Sequence, residues 1–121
     1  MKIYNGTPHE IKLIKPESAI KNEKIRKYVS ENPTYVGEIP SDGILSAKIE
    51  TKHIKGYVYQ KQITGIDTLP EGYDYYIVSA LYASAYKMQN GQNDKLYTVA
   101  DPVYTTDGKT ILGSLGICKS F

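Results

Sequence analysis

The sequence predicts an α+β fold: a mainly antiparallel β-sheet with one or two helices, in a single domain spanning residues 1–121. Three observations carry this expectation. Most of the chain divides into short apolar or alternating runs separated by Pro, Gly and Asp turn formers. The stretch Ile44–Lys52 alternates with period two, setting Ile44, Ser46, Lys48 and Glu50 against Leu45, Ala47, Ile49 and Thr51. The alanine-rich stretch Ser79–Lys87 opens on a natural helix cap.

Taken in order, Met1–Asn5 reads as a short strand and Thr7-Pro8 as a turn. Glu10–Lys15 reads as a second strand, which Pro16 breaks. Ser18–Glu31 is expected to be helical: Ser18 would cap it, Ile20, Ile25, Tyr28 and Val29 would be its apolar positions, and Glu23 precedes Lys27 by one turn. Ile25–Val29 would also serve as a strand. Asn32-Pro33 ends this segment. Tyr35–Glu38 is a strand and Pro40–Gly43 a turn. Ile44–Lys52 is expected to be a half-exposed antiparallel strand, with β character continuing over Tyr57–Ile63 and a turn at Leu69–Gly72. Tyr75–Val78 is an apolar strand leading into the helix. Asn90–Asp94 is a polar loop, and Leu96–Ala100 and Pro102–Thr105 are short strands. Thr106–Lys109 is a hairpin turn whose Asp-Gly suits type I′ geometry, and Thr110–Cys118 is the last strand, thinned by Gly113 and Gly116.

Composition narrows the function. The chain is 40% hydrophobic and 23% charged, with a net charge of +2. Residues 1–62 carry +4 and residues 63–121 carry −2. So small an excess argues against wrapping polymeric nucleic acid, and no apolar run is long enough to span a bilayer. A single cysteine, Cys118, precludes an internal disulfide; in its apolar strand it reads as a small buried hydrophobe. The expected location is the cytoplasm. Arg26 is the one arginine among 15 cations, so an arginine clamp within one protomer is impossible. An anion site must use lysines, backbone N–H groups or neighbouring subunits.

Familiar catalytic sets are missing from the sequence. It has no Walker loop, no Gly-x-Gly-x-x-Gly and no Gly-x-Ser-x-Gly. His9 and His53 have no partner at metal-ligand spacing, and Asp94, Asp101 and Asp107 read as turn formers. No enzyme activity, metal or cofactor is expected. The aromatic profile is unusual, with 12 Tyr, one Phe and no Trp. Tyr82 and Tyr86 share a helical face, while Leu81, Ala85 and Met88 form the neighbouring face that is expected to enter the core. The tyrosine stripe would then lie at or beyond the core edge and could stack on a base. Ala80, Ala83 and Ala85 would admit another chain closely, and the first helical turn offers N–H groups to an anion.

Five segments resemble a known family. Residues 2–11, KIYNGTPHEI, are similar to its "YNLTPHEI" opening. Ile39–Ala47 is similar to a "PPSG-x-x-A" turn and Tyr76–Ala83 to "YIVSALVA". Asn93–Tyr97 resembles "RDDLY", and Val103–Gly113 resembles "PVRDENGNIIG". In this order they span nearly the whole chain, and on them it resembles the first Thoeris anti-defence family. These phage proteins bind cyclic ADP-ribose isomers made by bacterial TIR-domain proteins and hold them without cleavage; some also bind cyclic oligonucleotides. The chain departs from the pattern at Gly6, where the family favours Leu, at Asn93, where it favours Arg, and near Tyr104, where it carries another Arg.

The resemblance implies a phage anti-defence protein acting in the cytoplasm of the infected bacterial host, as a homodimer or trimer of dimers. A base would take a ring and an amide: Tyr57, Tyr82 and Tyr86 are the candidate rings, Asn90, Gln92 and Asn93 the candidate amides. A pyrophosphate would take cations, with Arg26, Lys27, Lys109 and Lys119 as candidates. The alternatives are a phage accessory protein that binds a host protein and a small nucleotide-signal hydrolase.

Overall fold

The computed structural model describes residues 1–120. The strands of the first half are short because prolines and polar turn formers interrupt them. They are β1 (Ile3–Asn5), β2 (Ile11–Ile14), β3 (Ile20–Asn22), β4 (Lys27–Val29) and β5 (Tyr35–Ile39), with one 3-10 turn at Pro16–Ser18. A long ribbon follows, β6 (Ala47–Lys55) and β7 (Val58–Ile66). The second half holds β8 (Tyr75–Ile77), the helix α1 (Ala80–Asn90), β9 (Leu96–Tyr104) and β10 (Ile111–Lys119).

The fold is α+β, with a mixed main sheet. Its path is β1-β8-β9-β10-β2-β5, and the β3–β4 hairpin attaches to β9. The pairs β9–β10, β2–β5 and β3–β4 are antiparallel. The pairs β1–β8, β8–β9, β4–β9 and β2–β10 are parallel. The two ends of the path meet at Asn5. Its buried side chain donates to the carbonyl oxygens of Ile39 (3.0 Å) and His9 (3.1 Å), and its backbone N–H donates to Asp42 Oδ2 (2.9 Å). One amide thus ties β1 to the end of β5 and curls the sheet around its core. Gly113 permits the close passage of β10 over β2, since a Cβ there would lie 2.6 Å from the Lys12 carbonyl oxygen.

The region 18–31 corrects an expectation: it is a hairpin, not a helix. Ser18 does not cap anything; its carbonyl accepts from Ser30 Oγ (2.6 Å) and its hydroxyl accepts from the Thr34 N–H (3.0 Å). Long-range pairing of Tyr28 and Val29 with Val103 and Tyr104 overrides the local helical signals. The turn after β9 is also not type I′. That type needs positive φ at both central residues, whereas only Gly108 has it (φ 75), and the Gly108 N–H donates to the Thr105 carbonyl at 2.8 Å. The two short strands expected around Asp101 are one strand, in which Asp101 adopts φ 49.

The helix follows its local signals and rotates away from the face expected of it. Ser79 caps it, its hydroxyl accepting from the Tyr82 N–H at 3.1 Å, and Gly91 ends it at φ 84. Asn90 therefore belongs to the last turn and not to the loop. The core cluster joins Tyr82, Ala83, Leu45, Tyr76, Val78 and Leu96. Of the face expected in the core, Ala85 is buried, whereas Leu81 and Met88 are 49% and 78% exposed. The reason is size: the small Ala83 and Ala85 let the helix lie close to the sheet, and the Tyr82 ring fills the space beside them. Ala83 and Ala85 are consequently unavailable to a second chain. Cys118 is exposed, contrary to expectation, with its thiol 3.7 Å from Thr98 Oγ1. Among the described residues, no helix is long and apolar enough to cross a membrane.

Candidate functional site

Helix α1 borders two open clefts and the nearby strand ends form a third, and three of the sequence-derived candidates, Tyr86, Asn90 and Lys119, line them. The first lies between the C-terminal half of α1 and the segment after β7. It has a volume of about 360 Å³ and is lined by Ile66, Asp67, Thr68, Leu69, Tyr86, Gln89 and Asn90. Asn93 Nδ2 donates to the Tyr86 hydroxyl at 3.2 Å and holds that ring against the cleft. Tyr86 and Asn90 are brought together here, as a ring and an amide, with Asn93 in support. Gln92 instead donates to Asp94 Oδ1 (3.4 Å) in the following loop.

Tyr82 is not an accessible stacking ring, which corrects its assignment as one. It is 0% exposed, and its hydroxyl donates to the Asp67 carbonyl at 2.5 Å. Burial, then the neighbouring Tyr86 and Asp67, pushes its pKa up to about 12. Its ring centroid lies 6.3 Å from that of Tyr86, so Tyr82 supports the cleft residue from beneath.

The second cleft lies on another flank of α1, against the ends of β9 and β10. Its volume is about 430 Å³, and it is lined by Ala80, Ala83, Ser84, Lys87, Met88, Thr98, Lys119 and Ser120. Two lysines and three hydroxyls therefore surround an apolar bed of Ala83 and Met88, and among the described residues no carboxylate lines it. Ser120 Oγ is buried without a hydrogen-bond partner among the described residues. A buried hydroxyl in that condition favours a ligand that can accept from it. Ser84, Lys87, Thr98 and Ser120 were missed by sequence reasoning. The (i, i+3) spacing of Ser84 and Lys87 is the one local signal that they share a face; Thr98 and Ser120 reach the cleft only through strand pairing.

Lys119 also lines the third cleft, of about 480 Å³, with Met1, Asp74, Tyr75, Asp94, Lys95 and Tyr97. Tyr75 and Tyr97 meet there edge to face, with centroids 5.2 Å apart. Asp74 Oδ2 accepts from the Lys2 N–H at 2.7 Å, which fixes one side.

The other cations lie elsewhere. Arg26 is exposed in the β3–β4 turn at φ 54. Lys27 places its ammonium 3.3 Å from the Gly108 carbonyl oxygen and 4.4 Å from the Tyr104 ring centroid. Lys109 is exposed in the β9–β10 turn, its N–H donating to Asp107 Oδ1 at 3.0 Å. The Lys27–Gly108 bond brings these two turns together, away from the clefts on α1. Tyr57 is at the tip of the β6–β7 ribbon and is 92% exposed.

The acids and histidines are dispersed. Asp107 accepts from Thr105 Oγ1 (2.5 Å) and the Lys109 N–H, and the Thr105 bond is the main cause holding its pKa below the ordinary carboxylate value. His53 pairs its ring with Tyr59 at 5.1 Å on the ribbon, and His9 is exposed beside the first turn. Among the described residues, no group of three or more His, Cys, Asp or Glu side chains could hold a metal ion. A scan against known protein-family models and searches of curated proteins and of solved structures found no match.

Proposed function

We propose that this protein is a non-catalytic binder that sequesters a small cyclic nucleotide signal of the cyclic ADP-ribose class, as a phage anti-defence protein in the bacterial cytoplasm. The observation that carries the reading is the cleft between α1 and the ends of β9 and β10. It combines two lysines and three hydroxyls over an apolar bed, and one of the hydroxyls, Ser120 Oγ, has no hydrogen-bond partner among the described residues. A pyrophosphate needs cations and donors, and a base needs an apolar surface; this cleft offers both within a volume suited to a small ligand. Lys119 is the sequence-derived candidate that falls in it. The resemblance in five segments supplies the ligand class, and the homo-oligomer it implies is part of the proposal.

The test is calorimetric titration with cyclic ADP-ribose isomers, followed by heat denaturation and chromatography of the released ligand. The expected result is stoichiometric capture and recovery of unaltered ligand. A charged hydrogen bond contributes about 1.5–3 kcal/mol, so Lys119→Ala is expected to weaken binding at least tenfold, with Lys119→Arg retaining most of it. Multiple-turnover consumption of the ligand, or absence of capture for every isomer, overturns the reading.

A further inference from the structure

The β6–β7 ribbon pairs with no strand of the main sheet. Two nine-residue strands at ~3.3 Å per residue make an arm about 30 Å long. The arm packs at its base, where Ile66 adjoins the core cluster, and almost every residue beyond is exposed.

The arm also separates the charges of the molecule. Between residues 47 and 66 it carries Lys48, Lys52, Lys55 and Lys61 against Glu50, a net charge of +3. The rest of the chain, the body, holds 11 cations and 12 acids, a net charge of −1. The small total of +2 conceals this division. All four arm lysines are exposed, and among the described residues none of their side chains makes a hydrogen bond or an ion pair. Lysines of the body are engaged: Lys12, Lys21 and Lys27 lie 5.7, 5.1 and 4.4 Å from the ring centroids of Tyr35, Tyr28 and Tyr104.

Strand register sets rings beside the free charges. His53 lies opposite Tyr59, Thr51 opposite Lys61 and Ile49 opposite Ile63, so these six share one face. The His53 and Tyr59 ring centroids are 5.1 Å apart, with planes inclined by 30°. A His53 ring nitrogen is hydrogen-bonded to the Gly56 carbonyl, which fixes that ring. Tyr57, 92% exposed, continues the aromatic surface to the tip. Lys52, opposite Gln60, and Lys55, opposite Val58, lie on the other face of a ribbon only two strands wide, and their long stems reach its margins. An unpaired base stacks on rings of this kind while its phosphate meets the lysines beside them. A duplex hides its base faces. A lipid surface calls for continuous apolar area, which Lys61 interrupts on one face and Lys52 and Gln60 on the other.

We propose that the outer half of the β6–β7 arm binds single-stranded nucleic acid, with Tyr57, Tyr59 and His53 stacking on bases and Lys52, Lys55 and Lys61 contacting phosphates. The charge match is local: the body carries no positive surplus with which to wrap a long polymer, and the arm engages a few nucleotides. The outer half of the arm shares no residue with the clefts on α1, so the proposal is independent of the ligand reading.

Fluorescence anisotropy of the full chain with a labelled oligothymidylate of about 15 nucleotides, within the footprint of small single-strand binders, tests it. Between about 50 and about 200 mM salt, three phosphate contacts give an expected slope of log affinity against log salt of about −2. Lys52→Gln with Lys55→Gln and Lys61→Gln is expected to flatten that slope and to weaken binding at least tenfold at the lower salt. Tyr59→Ala is expected to weaken binding at least fivefold with the slope kept, and Tyr59→Phe to retain it. Lys15→Gln with Lys24→Gln, on the body, is expected to change nothing. The same oligothymidylate annealed to oligoadenylate is expected to bind more weakly, as are phosphatidylglycerol vesicles. All substituted side chains are exposed, and an unchanged thermal melting curve of the far-ultraviolet dichroism shows that each variant is folded. Absence of binding at the lower salt, equal affinity in the triple lysine variant, equal weakening by the body lysines, or tighter binding to the duplex or the vesicles overturns the proposal.

Discussion

The body and the arm are built from the same strand chemistry and end in opposite states. In the body, Tyr76 and Tyr82 bury their rings and spend their hydroxyls on the carbonyls of Pro70 and Asp67. On the arm, Tyr57 and Tyr59 expose theirs. The clearest alternation in the sequence, Ile44–Lys52, begins before the arm and continues into it, yet β6 is exposed almost throughout and is not the expected half-buried strand. Alternation separates two faces; it does not supply a layer to cover either. Tyrosine suits both settings because the ring gains from burial and the hydroxyl tolerates water.

Mutations can break this contrast at its strongest point first. Tyr82→Ala removes a fully buried ring and is expected to cost about 3–5 kcal/mol in chemical denaturation. Asn5→Ala is expected to cost about 1–3 kcal/mol by removing the amide that donates to the Ile39 and His9 carbonyls and accepts from the Thr7 N–H, with the loss read as a lower denaturant midpoint. Ser79→Ala deletes the helix cap and is expected to cost about 1 kcal/mol, measured in the same way. At the far end of the scale, Tyr57→Ala at the arm tip is expected to change protomer stability by no more than about 0.5 kcal/mol. A cost for Tyr57 equal to that for Tyr82 would abolish the distinction between covered body and bare arm.

Alkaline titration sharpens it further. The Tyr82 pKa is raised from 10.0 to about 12 in the folded chain, so the folded state holds its proton where the unfolded state loses it. The associated stability is complete below pH 10 and falls as the pH climbs toward 12. Lysines titrate in the same range, so the comparison is with Tyr82→Phe. That variant is expected to lose less stability than the unmodified protein across this window, as followed by denaturation at successive pH values. Identical slopes for the two proteins would contradict the burial of this hydroxyl.

The site shows a similar division between what is local and what is not. Lys119 was legible as a cation near the end of a strand, and Tyr86 as a ring on the helix. Their neighbours were not: Thr98 and Ser120 reach the Lys119 cleft because β9 and β10 pair, and Asp67 and Leu69 meet Tyr86 only after the chain returns from the arm. Arg26 and Lys109 looked equally suitable as cations, yet the attachment of β4 to β9 carries them to a different corner.

By itself the sequence determined the features that close within a few residues. Ser79 caps α1, Gly91 ends it, and Asp107 and Gly108 turn the chain between β9 and β10. Each depends on a side chain or a φ angle adjacent to the backbone group it satisfies. The tertiary structure decided whether residues 18–31 would form a helix or a hairpin, which face of α1 would be covered, and that β6 would leave the body. Those outcomes depend on partners distant in the chain: β9 for Tyr28 and Val29, the sheet for Tyr82, and no body strand at all for the arm. Local periodicity defines the faces of an element, whereas packing against a remote surface decides which face loses its water.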